Sequence, residues 1–254
     1  MGIPAHEREY GSAACIGVAV PQANPTVEPE FQALAPRGVS LLASRLQGSR
    51  TSSKDRLVGY LDNLGQTLET YDTADLDAVA FACTGVSYIV GREACESELQ
   101  KLSARFGYPV LSAASAIEQA LRHLGARRIA VFAPYPEWLS DLGFAYWREA
   151  GFDVVASAYA PLDPSDTRSV YQIRSRDIPA RIAELDLRDA DVLLMSGTGM
   201  PTLRAIPGLC EVVGRPVVSS NLCLAWAALR ACGVSLPDAS QREPLYGGWS
   251  SMLG

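Results

Sequence analysis

Cys83 is the residue in this chain best placed to do chemistry. It closes the apolar run 78–82 (AVAFA) and is followed at once by Thr84 and Gly85. An apolar, β-branched run ended by small residues reads as a buried strand entering a loop. A thiol at that boundary faces whatever lies beyond the strand end. Backbone N–H groups of a helix starting there are expected to lower its pKa and supply thiolate. The other cysteines, Cys15, Cys95, Cys210, Cys223 and Cys232, fall inside strands or helices and read as structural. The chain has only two histidines: His6 lies in a polar N-terminal arm, and His123 in the helical run IEQALRHLG reads as a surface residue. A Ser-His-Asp triad, a Cys-His dyad or a histidine-based zinc site therefore has little to work with. With no GxGxxG, no GxxxxGK[ST] and no C-x-x-C pair, the expectation is chemistry with no cofactor and no metal.

The surroundings of Cys83 are written twice. Residues 77–85 (DAVAFACTG) match 191–199 (DVLLMSGTG), so Cys83-Thr84-Gly85 corresponds to Gly197-Thr198-Gly199. Residues 16–21 (IGVAVP) match 129–134 (IAVFAP), and 107–112 (GYPVLS) match 214–219 (GRPVVS). The offsets are 113, 114 and 107 residues. Thr84 and Thr198 offer hydroxyl donors. Gly85 and Gly199 let backbone approach a ligand, and the segments after them look like helix starts that favour an anion. A small carboxylate suits such a nest. Gly197 is the unequal partner of Cys83, so one face of a shared cleft carries a thiol and the other does not. A two-base racemase needs an acid/base on each face. Ser196 is the nearest substitute and a poor one, and a thiol at 197 would fill the gap.

Around these loops stand further candidates. Tyr135 follows Pro134 at a strand end, so its phenol either reaches the cleft to donate to an oxyanion or packs on the surface. Asn24, in the turn after Pro21 and Gln22, either binds a carboxylate or caps the turn. Lys54 and Arg168, related by the repeat, either clamp a second carboxylate or are solvated.

Strands ended by these loops alternate with helical segments: DRLVGYLDNLGQTLETY, ESELQKLSARFG, LSDLGFAYWREAG and PARIAELDL. Such alternation means βαβ units and a parallel sheet. The expected fold is α/β: two pseudo-symmetric, doubly wound, flavodoxin-like parallel-sheet domains, with the active site in the cleft between them. The expected division is 12–113 plus 221–254 for the first domain and 114–220 for the second. The 254 residues, 48% hydrophobic and 20% charged, are ordinary for a globular protein. A net charge of −6 argues against a nucleic-acid partner. No apolar stretch is long enough to cross a membrane. The polar start, MGIPAHEREYGS, is not a secretion signal, so a reducing cytoplasm is expected. A homo-oligomer is compatible with the sequence.

At these motifs the chain resembles the branch of the aspartate/glutamate racemase superfamily that holds maleate cis–trans isomerase and arylmalonate decarboxylase. The resemblance is carried by VAVPQANPTVEPEF, AFACTGVSYIVG, the APY ending at Tyr135, LLMSGTGMPTLRAIP and GRPVVSSNLCLAW, and covers almost the whole chain. It implies two pseudo-symmetric α/β domains, no cofactor, and a cysteine that moves a proton or adds to a double bond. Cys83 matches the first cysteine position, which the isomerases fill with their nucleophile. Thr84, Gly85 and Tyr135 match the oxyanion pocket, and Asn24 matches a carboxylate-binding asparagine. Gly197 stands at the second cysteine position, where the decarboxylase keeps its only thiol.

Four functions follow as expectations. The first is decarboxylation of a substituted malonate through an enediolate protonated by Cys83. The second is cis–trans isomerisation of a maleate-like diacid with Cys83 as nucleophile. Less favoured are an amino-acid racemase and a non-catalytic carboxylate-binding module.

Overall fold

The computed structural model describes residues 7–160, 162–163 and 165–234. Eight strands form two four-stranded sheets. The first holds β1 (Ala14–Pro21), β2 (Val39–Leu46), β3 (Ala78–Phe81) and β4 (Val110–Ser112), in the order β2-β1-β3-β4. The second holds β5 (Arg128–Ala133), β6 (Asp153–Tyr159), β7 (Val192–Met195) and β8 (Val217–Ser219), in the order β6-β5-β7-β8. Every pairing is parallel, and the registers correspond: Ile16 pairs with Ala78, and Ile129 with Val192. The sequence repeat is thus a repeat of one strand topology.

Strands β3 and β7 are buried at every position because helices cover both faces of each sheet. Ten helices do this: α1 (Val27–Leu34), α2 (Ser53–Asp62), α3 (Leu64–Glu69), α4 (Thr84–Val90), α5 (Arg92–Phe106), α6 (Ala113–His123), α7 (Glu137–Glu149), α8 (Ile178–Ile182), α9 (Ile206–Val213) and α10 (Ser220–Ala231). Asp77 and Asp191 perform one job in each half. Asp77 accepts from the Cys15 N–H at 2.7 Å, and Asp191 from the Arg128 N–H at 2.8 Å. Each thereby ties the start of its own strand to the central one.

Helix α10 is buried from Ser220 to Leu229, so it lacks the polar stripe of a surface helix. It packs against α6, α1, β3, β4 and β8. Helix α6 in turn contacts β4 and α10. Residues 114–123, which the expected division gives to the second domain, belong to α6. Residues 235–254 of that division, like His6, lie outside the described residues. The run PARIAELDL yields only the short α8. His123 is exposed, with its ring 5.3 Å from that of Trp226. Among the described residues no helix is long and apolar enough to cross a membrane.

Candidate active site

The carboxyl ends of β1, β3, β5 and β7 converge on one cavity of about 40 Å³. Its wall includes Pro21, Asn24, Cys83, Thr84, Gly85, Tyr135, Arg168, Thr198 and Gly199 from the sequence expectation. The two repeated Thr-Gly loops therefore face each other. The sequence did not single out Arg56, Leu57, Tyr60, Thr167, Val170 and Tyr171, which complete the wall. They come from α2 and from the segment after β6, and lie on neither repeated strand end.

Cys83 is the N-cap residue of α4, in extended conformation and 3% exposed. Burial pushes its thiol up to about 12, although the N–H groups of Val86 and Gly85 and the charge of Arg56 pull the other way. Desolvation thus outweighs the helix terminus and favours the thiol form of Cys83 over the expected thiolate.

Gly197 has φ +126°, a backbone that side chains rarely adopt. A Cβ there would lie 2.9 Å from Pro134 Cγ and 3.2 Å from the Tyr135 hydroxyl. Its N–H donates to Ser220 Oγ at 2.7 Å, and Thr84 donates to the same oxygen at 3.1 Å. One serine from α10 therefore joins the two strand-end loops. Ser196 is fully buried and bonded to the Tyr88 hydroxyl at 2.7 Å, which also accepts from Trp147 Nε1. It faces this network and does not line the cavity.

Asn24 caps the turn and lines the cavity. Its Oδ1 accepts from the Thr26 N–H at 2.8 Å and the Val27 N–H at 3.3 Å, which caps the turn. That fixes the amide so that Nδ2 points to Thr198 Oγ1, 3.4 Å away. Thr198 gives its own hydroxyl proton to the Ala82 carbonyl at 2.8 Å, so its side chain crosses between the halves. Tyr135 is buried, its phenol held far above its ordinary pKa by desolvation, with Thr84 beside it. It stays a donor. At Gly199 a Cβ would strike Tyr171 at 2.7 Å and Val170 at 2.8 Å, so this glycine permits the close fit of the wall.

The loop carrying Thr198 and Gly199 is fastened by Glu30 of α1. Glu30 accepts from the N–H groups of Thr202 at 2.5 Å and Leu203 at 2.9 Å, and from Asn221 Nδ2 at 2.7 Å. Thr26 adds a bond to the Gly199 carbonyl at 2.9 Å. No spacing rule marks Glu30; its only signal is a carboxylate on the inward face of a helix.

Three expected site residues, Gly197, Gln22 and Lys54, are absent from the cavity wall. Gln22 is exposed and accepts from the Gly48 N–H at 3.1 Å. Lys54 is exposed and absent from the cavity wall. Arg168 lines the cavity but is tied to Asp166 by bonds of 2.7 to 2.9 Å. The buried cation is Arg56, whose Nη2 donates to Thr167 Oγ1 at 2.9 Å, Ser53 Oγ at 3.1 Å and Asp166 Oδ1 at 3.2 Å. A guanidinium at the first turn of α2 is three residues beyond Ser53, whose repeat partner is Thr167. Of the two repeat-related cations Arg168 lines the cavity and Lys54 does not, and Arg56 joins Arg168 there. Among the described residues no cluster of three or more His, Cys, Asp or Glu is placed to hold a metal ion.

Two parallel sheets of corresponding strand order meet at a cleft lined by paired Thr-Gly loops and one thiol, which agrees with the expected maleate isomerase and arylmalonate decarboxylase branch of the aspartate/glutamate racemase superfamily. The family model described as arylmalonate decarboxylase matches residues 16–243, and the chain belongs to that family. It is 28% identical over 251 residues to the maleate isomerase of Pseudomonas putida, covering 94% of this chain and 96% of that one. It is 29% identical over 151 residues to the arylmalonate decarboxylase of Bordetella bronchiseptica, covering 56% and 57% of the two chains. The crystal structure of the maleate isomerase Iso from Pseudomonas putida superposes with a TM-score of 0.81 at 25% identity, covering 93% of this chain and 99% of that one.

Proposed function

We propose that this chain is a cofactor-free decarboxylase of a small substituted malonate, with Cys83 as its single proton donor. The observation that carries this reading is the state of Cys83: a buried thiol, held protonated by desolvation, opposite a glycine. The retained carboxylate sits among Thr84, Tyr135, the Asn24 amide and the backbone around Gly85 and Gly199. The departing carboxylate lies beside Leu57 and Val170, the aliphatic part of the wall, where loss of hydration disfavours its charge. The bond from the α-carbon to that carboxylate breaks, and carbon dioxide leaves. The electron pair passes into an enediolate held by the donors. The Cys83 S–H bond then breaks and the proton goes to the α-carbon. Water reprotonates the thiolate, and the hydroxide formed balances carbon dioxide as bicarbonate.

A second reading is favoured by two observations: the relative matched over nearly the whole length is a maleate isomerase, and Arg56 offers a cation for a second carboxylate that is not lost. In that reaction Cys83 must first lose its proton, because the thiolate adds to the alkene. Proton NMR in deuterated water separates the two. Loss of a carboxyl group with uptake of one deuteron supports decarboxylation. Conversion of maleate to fumarate with no change of mass, and no reaction of any malonate, overturns it.

A further inference from the structure

We propose that Arg56 selects a second anionic group on the substrate that survives the reaction, so that the preferred malonates carry a short, acidic substituent and not an aromatic one; this rests on the decarboxylase reading above. Arg56 is 8% exposed and lines the cavity, yet no Asp or Glu lines it. Its one carboxylate partner, Asp166, is one-third exposed and already held by Arg168. A buried cation favours a charge partner close by, and this one shares a rim carboxylate with a second arginine. The hydroxyl-bearing rings of Tyr60 and Tyr171 stand in the same wall. Leu57, Val170 and Pro21 are its aliphatic members.

The retained anion cannot be the carboxylate that departs. A cation stabilises a carboxylate and does little for neutral carbon dioxide, so Arg56 on the leaving group would raise the barrier. It must hold a group that stays charged. The nest holds one carboxylate, Arg56 a second, and the third is lost. The smallest such substrate is ethane-1,1,2-tricarboxylate, whose product is succinate. A cavity of about 40 Å³ admits only a few waters, so any such ligand enters by widening the cleft. Bonds from Arg56 to Thr167 and Asp166, and from Ser53 to the Ser165 carbonyl at 3.1 Å, span its mouth.

The test has a binding arm that needs no turnover. Calorimetry on the whole wild-type chain should show succinate binding more tightly than butyrate by about ten- to a hundredfold, the range for hydrogen bonds to a charged group. Arg56→Met should bring succinate to the level of butyrate. Asp166→Asn, which keeps the side chain's shape and removes its charge from the half-buried rim, should free Arg56 and tighten succinate. In the turnover arm, kcat/KM for ethane-1,1,2-tricarboxylate should exceed that for phenylmalonate at least about tenfold, and Arg56→Met should collapse the ratio. Equal binding of succinate and butyrate to wild type overturns the proposal, as does faster turnover of phenylmalonate. If succinate is selected through Arg56 but no malonate is decarboxylated, the anion clamp stands and the decarboxylase reading falls.

Discussion

Gly197 and Pro134 stand so close that a Cβ on the glycine would lie 2.9 Å from the proline Cγ. With φ at +126°, position 197 excludes side chains twice, by backbone conformation and by contact. The missing second thiol is therefore built into the shape of the β7 loop. It follows that Gly197→Cys should not create a racemase, contrary to what the repeat alone suggests. The variant should lose about 1–3 kcal/mol of stability, as strained backbone positions do, measured by urea unfolding. A Gly197→Cys protein of wild-type stability that racemises its product would contradict this.

Cys83→Ala should reduce turnover by ~10²–10⁴-fold, the usual loss when a general acid is removed. Its circular dichroism should match wild type. The control is Cys210→Ala, on α9 away from the cavity wall, which should turn over normally. Undiminished activity in the Cys83 variant would remove the central role given to this thiol.

The pH profile distinguishes acid from nucleophile. The folded Cys83 thiol is pushed up to about 12, so the protonated form is complete at neutral pH and is lost only as pH rises through that value. A reaction that uses the thiol as acid should show kcat flat from about pH 7 to 9. One that uses the thiolate should rise roughly tenfold per unit over that span, because each unit adds tenfold more thiolate. For the same reason iodoacetamide should label Cys83 slowly. A tenfold rise per unit would favour the isomerase.

The extent to which the site could be read from sequence depended on repetition. Strands β1, β3, β5 and β7 are buried on both faces, so their apolar runs and the polar loops after them stand out twice in the chain. Strands β2 and β6 escaped that reading. Each lies at a sheet edge with nearly every side chain half-buried or exposed, so neither gives a continuous apolar run. Arg56 and Glu30 escaped for a related reason. Each is a charged residue on a helix, where solvation is the ordinary fate, and only tertiary packing turns it inward. Cys83 was placed correctly and its charge state was not, since a local helix start is visible in sequence while the desolvation that outweighs it is not.

Glu30 supplies a further test of that packing. Its carboxylate satisfies two backbone N–H groups and the Asn221 amide, all buried. Glu30→Ala would strand these donors, at roughly 1–3 kcal/mol each, and release the loop holding Thr198 and Gly199. The expected result is a lower melting temperature with a raised KM. Glu30→Gln keeps one acceptor and should fall between. An unchanged KM in a folded Glu30→Ala protein would show that the loop holds its shape without this anchor.

One thiol on one face should leave its mark on the product. A planar enediolate accepts a proton from either side, and the hand of the product records which side held the acid. Cys83 stands on the β3 side, and position 197 on the β7 side carries no side chain. Tyr135, near that side, is held far above its ordinary pKa, which makes it a reluctant proton donor. A malonate with two unlike substituents should therefore give largely one enantiomer, opposite in hand to that from an enzyme whose thiol occupies the β7 side. A difference of only ~1.4 kcal/mol between the two protonation barriers gives about tenfold selectivity, and the absence of any acid on one face should give more. Chiral chromatography at short reaction times measures it. A racemic product, with no spontaneous racemisation in buffer, would mean that water delivers the proton, and Cys83 would then have to act in some other way.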